Sequence, residues 1–332
     1  MRADGAGLLA AARRAVMHWD FDGAALQLMT LSENVVFRVE SAGGAAYALR
    51  LHRPGYNSLA ELNSERVWTA ALLDADIDVA RAVPTARGEW YATVTMPDGT
   101  ARHAGMLEWV DGELLSHTIA RTTDVRRVVG YFEQLGRYAA RIHNQSSRWR
   151  PPAGFERRAW NTEGLIGERP LWGRFWDVPE LRPDERDVLL RARDAIRCDL
   201  DALGTDDACY SLIHADMHPH NVIVAGDRLG AIDFDDAGFG WHLYELAVAL
   251  QSARGASYGG AATAALVAGY RAERPLAEEH VLMLPTFALI RSLVIVGWRS
   301  ARPELGGADR MRPLIERTTE DARAFLASRS RR

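Results

Sequence analysis

The chain has 332 residues, of which 48% are hydrophobic and 25% charged, and its formal net charge is −4. This composition is typical of a folded globular protein, and the small negative charge argues against binding to nucleic acid or to a membrane. Only two cysteines are present, Cys198 and Cys209, which excludes a disulfide framework and predicts a cytoplasmic enzyme. The length allows one large domain or two lobes.

The first third of the chain is rich in predicted strands. An amphipathic helix ends near Gly23, and Arg13 and Arg14 inside its apolar stretch distinguish it from a signal peptide. A second helix is predicted over residues 58–74. Six strands should build a small antiparallel sheet, over residues 24–31, 35–41, 46–52, 81–84, 90–95 and 101–107.

The rest of the chain is predicted to be mainly helical. Residues 146–179 hold four Trp and four Pro and have little helical period, so this Trp/Pro-rich segment either walls an acceptor site or packs against the lobe. The apolar stretch 281–298 contains Pro285, Arg291 and Gly297, which favours a buried helix over a membrane span. We therefore divide the chain into an N-terminal lobe, 1–111, and a C-terminal lobe, 112–332.

Residues 212–236 contain two motifs joined by a predicted hairpin. The first is H-A-D at 214–216, followed five residues later by Asn221, and the second is I-D-F at 232–234. Between them, two β-branched runs flank a Gly-Asp turn, which is typical of two short paired strands. We expect this hairpin to return Asp233 beside Asp216 and Asn221.

These three side chains suit phosphoryl transfer, which needs a nucleophile held in line and metal charge on the phosphates. Asp216 is the candidate catalytic residue, because its carboxylate can orient a hydroxyl and accept its proton. Asn221 and Asp233 are candidate Mg²⁺ ligands, because this ion prefers hard oxygen atoms.

The histidines of the same stretch permit a second interpretation. His214, Asp216, His218 and His220 alternate, and such clusters bind zinc in metallohydrolases. Pro219 interrupts a strand there, however, and Asn221 and Asp233 would go unused. We therefore favour phosphoryl transfer.

The two motifs resemble those of the kinase-like phosphotransferases, which include aminoglycoside phosphotransferases, choline kinases, homoserine kinases and a bacterial stress-response Ser/Thr kinase. Members typically read H-G-D-x-x-x-x-N, then I-D-F/W, then D-L-A. Here Ala215 replaces the Gly, and Glu245 replaces the last Asp. The resemblance implies a bilobal, protein-kinase-like α+β fold, with a small antiparallel-sheet N-lobe and a mainly helical C-lobe.

The resemblance also implies a reaction. The enzyme would move the γ-phosphate of ATP, with GTP possible, to a hydroxyl of an antibiotic, amino acid, amino alcohol or sugar, with Mg²⁺ as cofactor. A Ser/Thr protein kinase of the stress-response type is the alternative. A nucleotide-binding regulator without turnover is a further one, prompted by Arg50. The sequence leaves the acceptor and the oligomeric state open.

Family positions further assign nucleotide-binding residues. Arg50 stands where a Lys usually pairs with the α- and β-phosphates, and Glu65 of the second helix would orient it. We choose Glu65 over Glu61 for that role. A G-x-G-x-x-G loop is missing from the first turn, so Ser32 and Asn34 are the candidate phosphate contacts there.

The hinge between the lobes is assigned to E-W-V-D-G at 108–112, where Glu108 and Val110 would bind adenine through their main chains. Three acids near the second motif predict an acidic acceptor site that suits a cationic or polyhydroxylated substrate: Asp235, Asp236 and Glu245. Alternatively, Asp236 binds backbone in its own Asp-Ala-Gly turn.

Overall fold

A computed structural model describes residues 5–32, 34–303 and 310–329. Within it the chain forms two compact units. The first consists of residues 1–113, 151–157 and 223–235, and the second of residues 114–150, 158–222 and 236–332.

The first unit is built on one antiparallel sheet. Its strands are β1 (Ala25–Leu31), β2 (Val35–Glu40), β3 (Ala46–Leu51), β4 (Ala82–Val83), β5 (Tyr91–Thr95) and β6 (Ala101–Glu108). They run in the order β1-β2-β3-β6-β4, with β5 also paired to β6. Alternate residues of β2, namely Val35, Phe37 and Val39, are buried in one hydrophobic cluster with residues of helix α1 (Gly5–Val16), as expected for a sheet with one covered face.

Helix α2 (Leu59–Leu73), predicted over residues 58–74, begins at a capping box. The Ser58 hydroxyl accepts the Glu61 N–H, and the Glu61 carboxylate accepts the Ser58 N–H. This places Glu65 one turn further on, on a buried face of the helix.

A hairpin from the middle of the chain also belongs to the first unit. Its strands are β10 (Val222–Ala225) and β11 (Arg228–Ala231). The Ala231 N–H donates to the Asp78 carbonyl at 3.2 Å, and Arg228 forms an ion pair with the Asp78 carboxylate. A Cβ on Gly112 would lie 2.4 Å from the Val224 carbonyl oxygen, so only glycine fits there.

The division at residue 111/112 predicted from composition therefore differs from the structure in two segments. Residues 151–157 and 223–235 lie in the first unit, because their hydrogen bonds connect them to it. Composition along the chain carries no information on such returning segments.

The second unit contains most of the helices. They are α3 (Leu115–Arg121), α4 (Val125–Arg148), α5 (Thr162–Ile166), α6 (Pro183–Leu203), α7 (His242–Ala249), α8 (Gly259–Glu273), α9 (Glu278–Val281), α10 (Leu284–Ser300) and α11 (Met311–Arg329). Helices α4 and α8 approach closely, because Gly136 and Gly269 lack side chains at their contact. A Cβ on Gly136 would lie 2.1 Å from the Leu266 carbonyl oxygen.

A small sheet of β8 (Ala159–Trp160), β9 (Tyr210–Ile213) and β12 (Gly238–Trp241) completes this unit, in the order β8-β12-β9. Strand β12 was not predicted from the sequence, and helix α7 begins directly after it, at His242. The two-residue strand β7 (Glu113–Leu114) lies at the boundary of the units in the sequence.

The apolar stretch near the C-terminus forms α9 and α10. Among the described residues, one helical stretch, Glu278–Ser300, is long and apolar enough to cross a membrane, and 56% of its most apolar window is buried inside the protein. Most of α10 is buried in the second unit, as predicted for a core helix.

Candidate active site

Asp216 lies in the second unit, in the loop that follows β9. The preceding residue, Ala215, is fully buried and has a φ of 66°, in the left-handed region. That conformation costs a residue with a Cβ about 1–2 kcal/mol, which explains the Gly usual at this position. The chain tolerates Ala because the surrounding loop is fixed by other contacts.

The Asp216 carboxylate is held at both oxygens. Arg291 of α10 donates Nη2–H to Oδ1, the Asn221 amide donates to Oδ2 at 3.0 Å, and His218 Nε2 lies 3.3 Å from Oδ2. Burial alone would raise the Asp216 pKa, but His218 and Arg291 lower it below its usual range. The structure thus provides an ionised carboxylate with a fixed orientation.

Glu245 of α7 fixes the backbone of this loop through hydrogen bonds. Its two carboxylate oxygens accept the backbone N–H groups of His214 at 2.7 Å and Ala215 at 2.8 Å. The side chain is fully buried, and burial raises its pKa. The prediction that Glu245 contributes to an acidic acceptor site was therefore wrong, because both of its oxygens are used by the catalytic loop.

Asn221 ends a short 3-10 turn that begins at Pro219. Its amide nitrogen donates to the Asp216 carbonyl and carboxylate, both at 3.0 Å. The NH₂ group is thereby directed at Asp216, and the other end of the amide, Oδ1, is the atom suited to a cation.

The zinc-type interpretation of the histidines is not supported. His214 is fully buried, and its Nδ1 accepts the Asp216 N–H at 3.3 Å, while His218 Nδ1 accepts the His220 N–H at 3.2 Å. In the part of the chain that the structure describes, no three His, Cys, Asp or Glu side chains are grouped so as to hold a metal ion.

The other half of the predicted site lies in the first unit, around Arg50. Its Nη1–H donates to Glu65 at 2.9 Å, and its Nη2–H donates to Asp233 at 2.9 Å and to Asp235 at 2.7 Å. Burial alone would lower the Arg50 pKa, but these three carboxylates raise it above its ordinary value. The expected Arg50–Glu65 pair is present, whereas the Glu61 side chain is used in the capping box.

Asp233 has a φ of 65°, and its side chain is 49% exposed. The structure therefore joins Asp216 with Asn221 inside the second unit, and Arg50, Glu65 and Asp233 inside the first.

The family of the chain follows from residues 30–280, which match the model of the phosphotransferase enzyme family. The chain belongs to that family. The structure of a microcompartment-associated aminopropanol kinase has a TM-score of 0.84 and 33% sequence identity, and the match covers 96% of this chain and 98% of that one. The fold predicted from the sequence is confirmed.

Other relatives agree with the fold and family. A structure of the amicoumacin kinase hAmiN, in complex with AMP-PNP, Ca²⁺ and Ami, has a TM-score of 0.77 at 22% identity and covers 97% of this chain and 93% of that one. A homoserine kinase of Rhizobium rhizogenes is 30% identical over 195 residues, which is 54% of this chain and 57% of that protein. The chain is thus a kinase that phosphorylates a small-molecule hydroxyl.

Two further assignments in this phosphotransferase need correction. Asp235 is 5% exposed, and its carboxylate accepts hydrogen bonds from Arg50 and from Asn34 Nδ2. Its backbone carbonyl accepts from Asn57 at 3.2 Å and Arg157 at 2.7 Å. Asp235 therefore anchors the first unit instead of contributing a free acid to an acceptor site.

Asn34 is the second correction. Besides donating to Asp235, it accepts the Arg53 N–H at its Oδ1, at 3.1 Å, and it is 5% exposed. Both ends of its amide are engaged within the first unit and the side chain is nearly inaccessible, which argues against a phosphate contact by Asn34. Ser32 is exposed, and its N–H donates to the Asn34 carbonyl at 3.1 Å. Glu33 lies outside the described residues.

The hinge candidates lie at the end of β6. The Glu108 N–H donates to the Arg81 carbonyl at 2.8 Å, so this N–H is already paired. Val110 lines a mainly apolar cavity together with Val79, Ile223 and Leu229, all in the first unit. Adenine binding at the hinge stays a prediction, in which Glu108 would take part through its carbonyl oxygen.

Asp236 is the remaining predicted substrate residue, and it lies in the second unit with Asp216. Its carboxylate is 3.3 Å from Arg158 Nη1, and its carbonyl accepts the Trp160 Nε1–H at 2.7 Å. The side chain keeps 15% exposure, so a substrate contact by Asp236 stays a prediction.

Sequence reasoning missed two arginines of this phosphotransferase. Arg291 was noted only as an interruption of an apolar stretch, although a charge inside a buried helix requires a partner. Arg157, in the Trp/Pro-rich segment, donates to the carbonyls of Glu61, Phe234 and Asp235. No sequence pattern signals that role.

Proposed function

We propose that this phosphotransferase transfers the γ-phosphate of ATP directly to the hydroxyl of a short amino alcohol, with Mg²⁺ as cofactor, in the cytoplasm. The main support for this proposal is the state of the Asp216 carboxylate, which is ionised and held at both oxygens by Arg291, Asn221 and His218. A fixed anionic oxygen is what a hydroxyl needs in order to be oriented and deprotonated during transfer.

Asp216 would accept a hydrogen bond from the acceptor hydroxyl and take its proton as the new bond between that oxygen and the γ-phosphorus forms and the bond from the γ-phosphorus to ADP breaks. Glu245 keeps the loop in place by binding the two backbone N–H groups that precede Asp216. Because these groups are held before the acceptor arrives, little reorganisation is required during the reaction.

Asn221 and Asp233 are the proposed Mg²⁺ ligands. These residues fit the ion. The Asn221 NH₂ group donates to Asp216, which leaves the amide oxygen as the atom suited to a cation, and Asp233 has a half-exposed carboxylate that Arg50 holds in place. When bound, the metal ion neutralises charge on the transferring phosphates. Arg50, which Glu65 orients, sets the position of Asp233 and is the cation proposed for the phosphates.

The acceptor class rests on the extent of the similarity. The structure of the aminopropanol kinase is matched over 98% of its length at 33% identity, which supports a short amino alcohol as the acceptor. An amino alcohol would need an acid near Asp216 for its ammonium group. Asp236 is the candidate, because Asp235 and Glu245 are buried in other contacts.

ATP is the proposed nucleotide, with GTP as the competitor. The amicoumacin kinase hAmiN was solved with AMP-PNP, an adenine nucleotide analogue, and Ca²⁺. This supports an adenine nucleotide and a divalent ion for a chain of the same fold.

The test is an ADP-release assay with ATP and Mg²⁺ over aminopropanol, homoserine, choline, a hydroxylated antibiotic, sugars and a generic protein substrate. We expect the highest kcat/KM on aminopropanol, and loss of turnover when EDTA removes the metal. Asp216→Ala should abolish turnover and leave ATP binding by calorimetry intact. Asp227→Asn, in the exposed β10–β11 turn, is the matched control and should retain parent activity.

Preference for the protein substrate, or parent-level turnover by Asp216→Ala, would contradict the proposal. A preference for homoserine would retain the mechanism and overturn the acceptor class.

A further inference from the structure

Arg291 lies in the middle of α10 and is only 3% exposed. Removing a guanidinium from water costs several kcal/mol unless its donors are paired. Here three nitrogens have partners: Nη2 donates to Asp216, Nη1 to the Tyr244 hydroxyl at 3.3 Å, and Nε to Gln251 Oε1 at 3.2 Å. These partners come from three separate segments of the second unit.

The Arg291 guanidinium also packs against an aromatic ring, that of Trp172. The Trp172 ring lies 4.9 Å from the Arg291 guanidinium carbon, a cation–π distance. Trp172 is fixed in turn by edge contact with Trp160 at 5.1 Å and by Trp298 at 6.2 Å. Trp160 also stacks on Tyr244 at 6.0 Å. The Trp/Pro-rich segment supplies Trp160 and Trp172, so it contributes the aromatic contacts that hold Arg291 in place.

The consequence for Asp216 is geometric. Arg291 occupies Oδ1, and Asn221 and His218 approach Oδ2, so the carboxylate cannot rotate about its Cβ–Cγ bond without breaking charged contacts. A carboxylate has about four acceptor directions, and these contacts take up three of them. One direction is left, and it is fixed relative to the loop.

We infer that Arg291 is a positioning residue, which fixes the orientation in which Asp216 receives the acceptor hydroxyl. Arg291 is itself held by its contacts with Trp172, Tyr244 and Gln251. This inference rests on the proposed function of Asp216 as the base. In this inference the Trp/Pro-rich segment acts by holding Arg291, which contacts Asp216, and not by contacting the acceptor.

A planar guanidinium is needed for this task. Lysine presents a single ammonium nitrogen on a flexible stem, so it can keep the Asp216 contact but loses the simultaneous contacts to Tyr244 and Gln251 and most of the stacking on Trp172. Methionine fills a similar volume and keeps none of the polar contacts. The two replacements therefore separate charge and volume.

The experiment compares Arg291→Met, Arg291→Lys and Trp172→Phe in the full chain, by steady-state kinetics with the amino alcohol acceptor. A misplaced reacting group costs about 100-fold, so we expect kcat of Arg291→Met to fall about 100-fold, with the KM for ATP within about twofold of the parent. Arg291→Lys should recover about tenfold of that loss, and Trp172→Phe should lose less than about tenfold.

Arg254→Met is the matched control, since Arg254 lies in the same unit and pairs with Asp321 at 2.7 Å and with Ser292 of α10. It should lower the thermal midpoint as Arg291→Met does but leave kcat per ATP-binding site unchanged. In an Asp216→Asn background, Arg291→Met should have no further effect on kcat, because it acts through Asp216.

The inference is overturned if Arg291→Met keeps kcat within about threefold of the parent while Asp216→Ala is inactive. It is also overturned if Arg254→Met loses as much kcat as Arg291→Met, or if the losses at 216 and 291 simply add. Parent-level turnover by Asp216→Ala would instead reject the proposed function itself.

Discussion

Replacing Asp235 with Asn should destabilise the first unit specifically. The carboxylate is buried and accepts two strong hydrogen bonds, from Arg50 and from Asn34. A buried hydrogen bond to a charged group contributes about 1.5–3 kcal/mol, and an amide at 235 would keep one neutral bond of about 1 kcal/mol. Arg50 retains Glu65 and Asp233, so the expected loss is about 3 kcal/mol.

The assay must report on the first unit alone, because the chain has two units. Hydrogen exchange of peptides from β3 and α2 meets this need, with α4 peptides as the internal reference. A loss of about 3 kcal/mol corresponds to about 100-fold faster exchange through opening of the unit. Asp227→Asn, in an exposed turn of the same unit, should leave exchange at β3 and α2 unchanged.

The reasoning would be refuted by exchange at β3 and α2 within about threefold of the parent in Asp235→Asn. It would equally be refuted if α4 lost protection to the same extent, since the effect would then not be local to the Arg50 network.

Three further predictions concern other contacts. Gly136→Ala places a Cβ 2.1 Å from a backbone oxygen of α8 and should lower the thermal midpoint by about 5 °C or more, whereas Gly130→Ala on the same helix meets nothing within 4 Å and should not lower it. Glu245→Gln offers one good acceptor to two backbone N–H groups, so kcat should fall about tenfold in steady-state assays. Arg50→Lys cannot reach three carboxylates, so a Mg²⁺ titration should show a severalfold higher half-saturating concentration as Asp233 loses its restraint.

The residues that sequence analysis located best are those whose geometry is set locally. The spacing from Asp216 to Asn221 and the Gly-Asp hairpin are short-range features. Glu65 is assigned from a family position on the second helix and chosen over Glu61, and it accepts a hydrogen bond from Arg50. The first two rest on a few consecutive residues, where turn chemistry determines the structure.

The errors and omissions share a different property. Asn34 bonds to Asp235 across 201 positions, and Arg291 reaches Asp216 across 75. Such partners are chosen by tertiary packing, which a single sequence does not encode in any local pattern. Strand β12 was missed because its glycines have low strand propensity; a Cβ on Gly238 would lie 2.4 Å from the Arg158 carbonyl oxygen, so close approach of the backbone favours glycine there.

The return of residues 223–235 to the first unit bears on how lobes can be recombined between relatives. A chimaera cut once at position 113 would pair Arg50 of one parent with Asp233 and Asp235 of another. Swapping residues 151–157 and 223–235 together with the N-terminal part would instead keep Arg50, Asp233 and Asp235 from the same parent, and Arg157 with them. Recombinants that respect this discontinuous boundary should fold more often than those made with a single crossover.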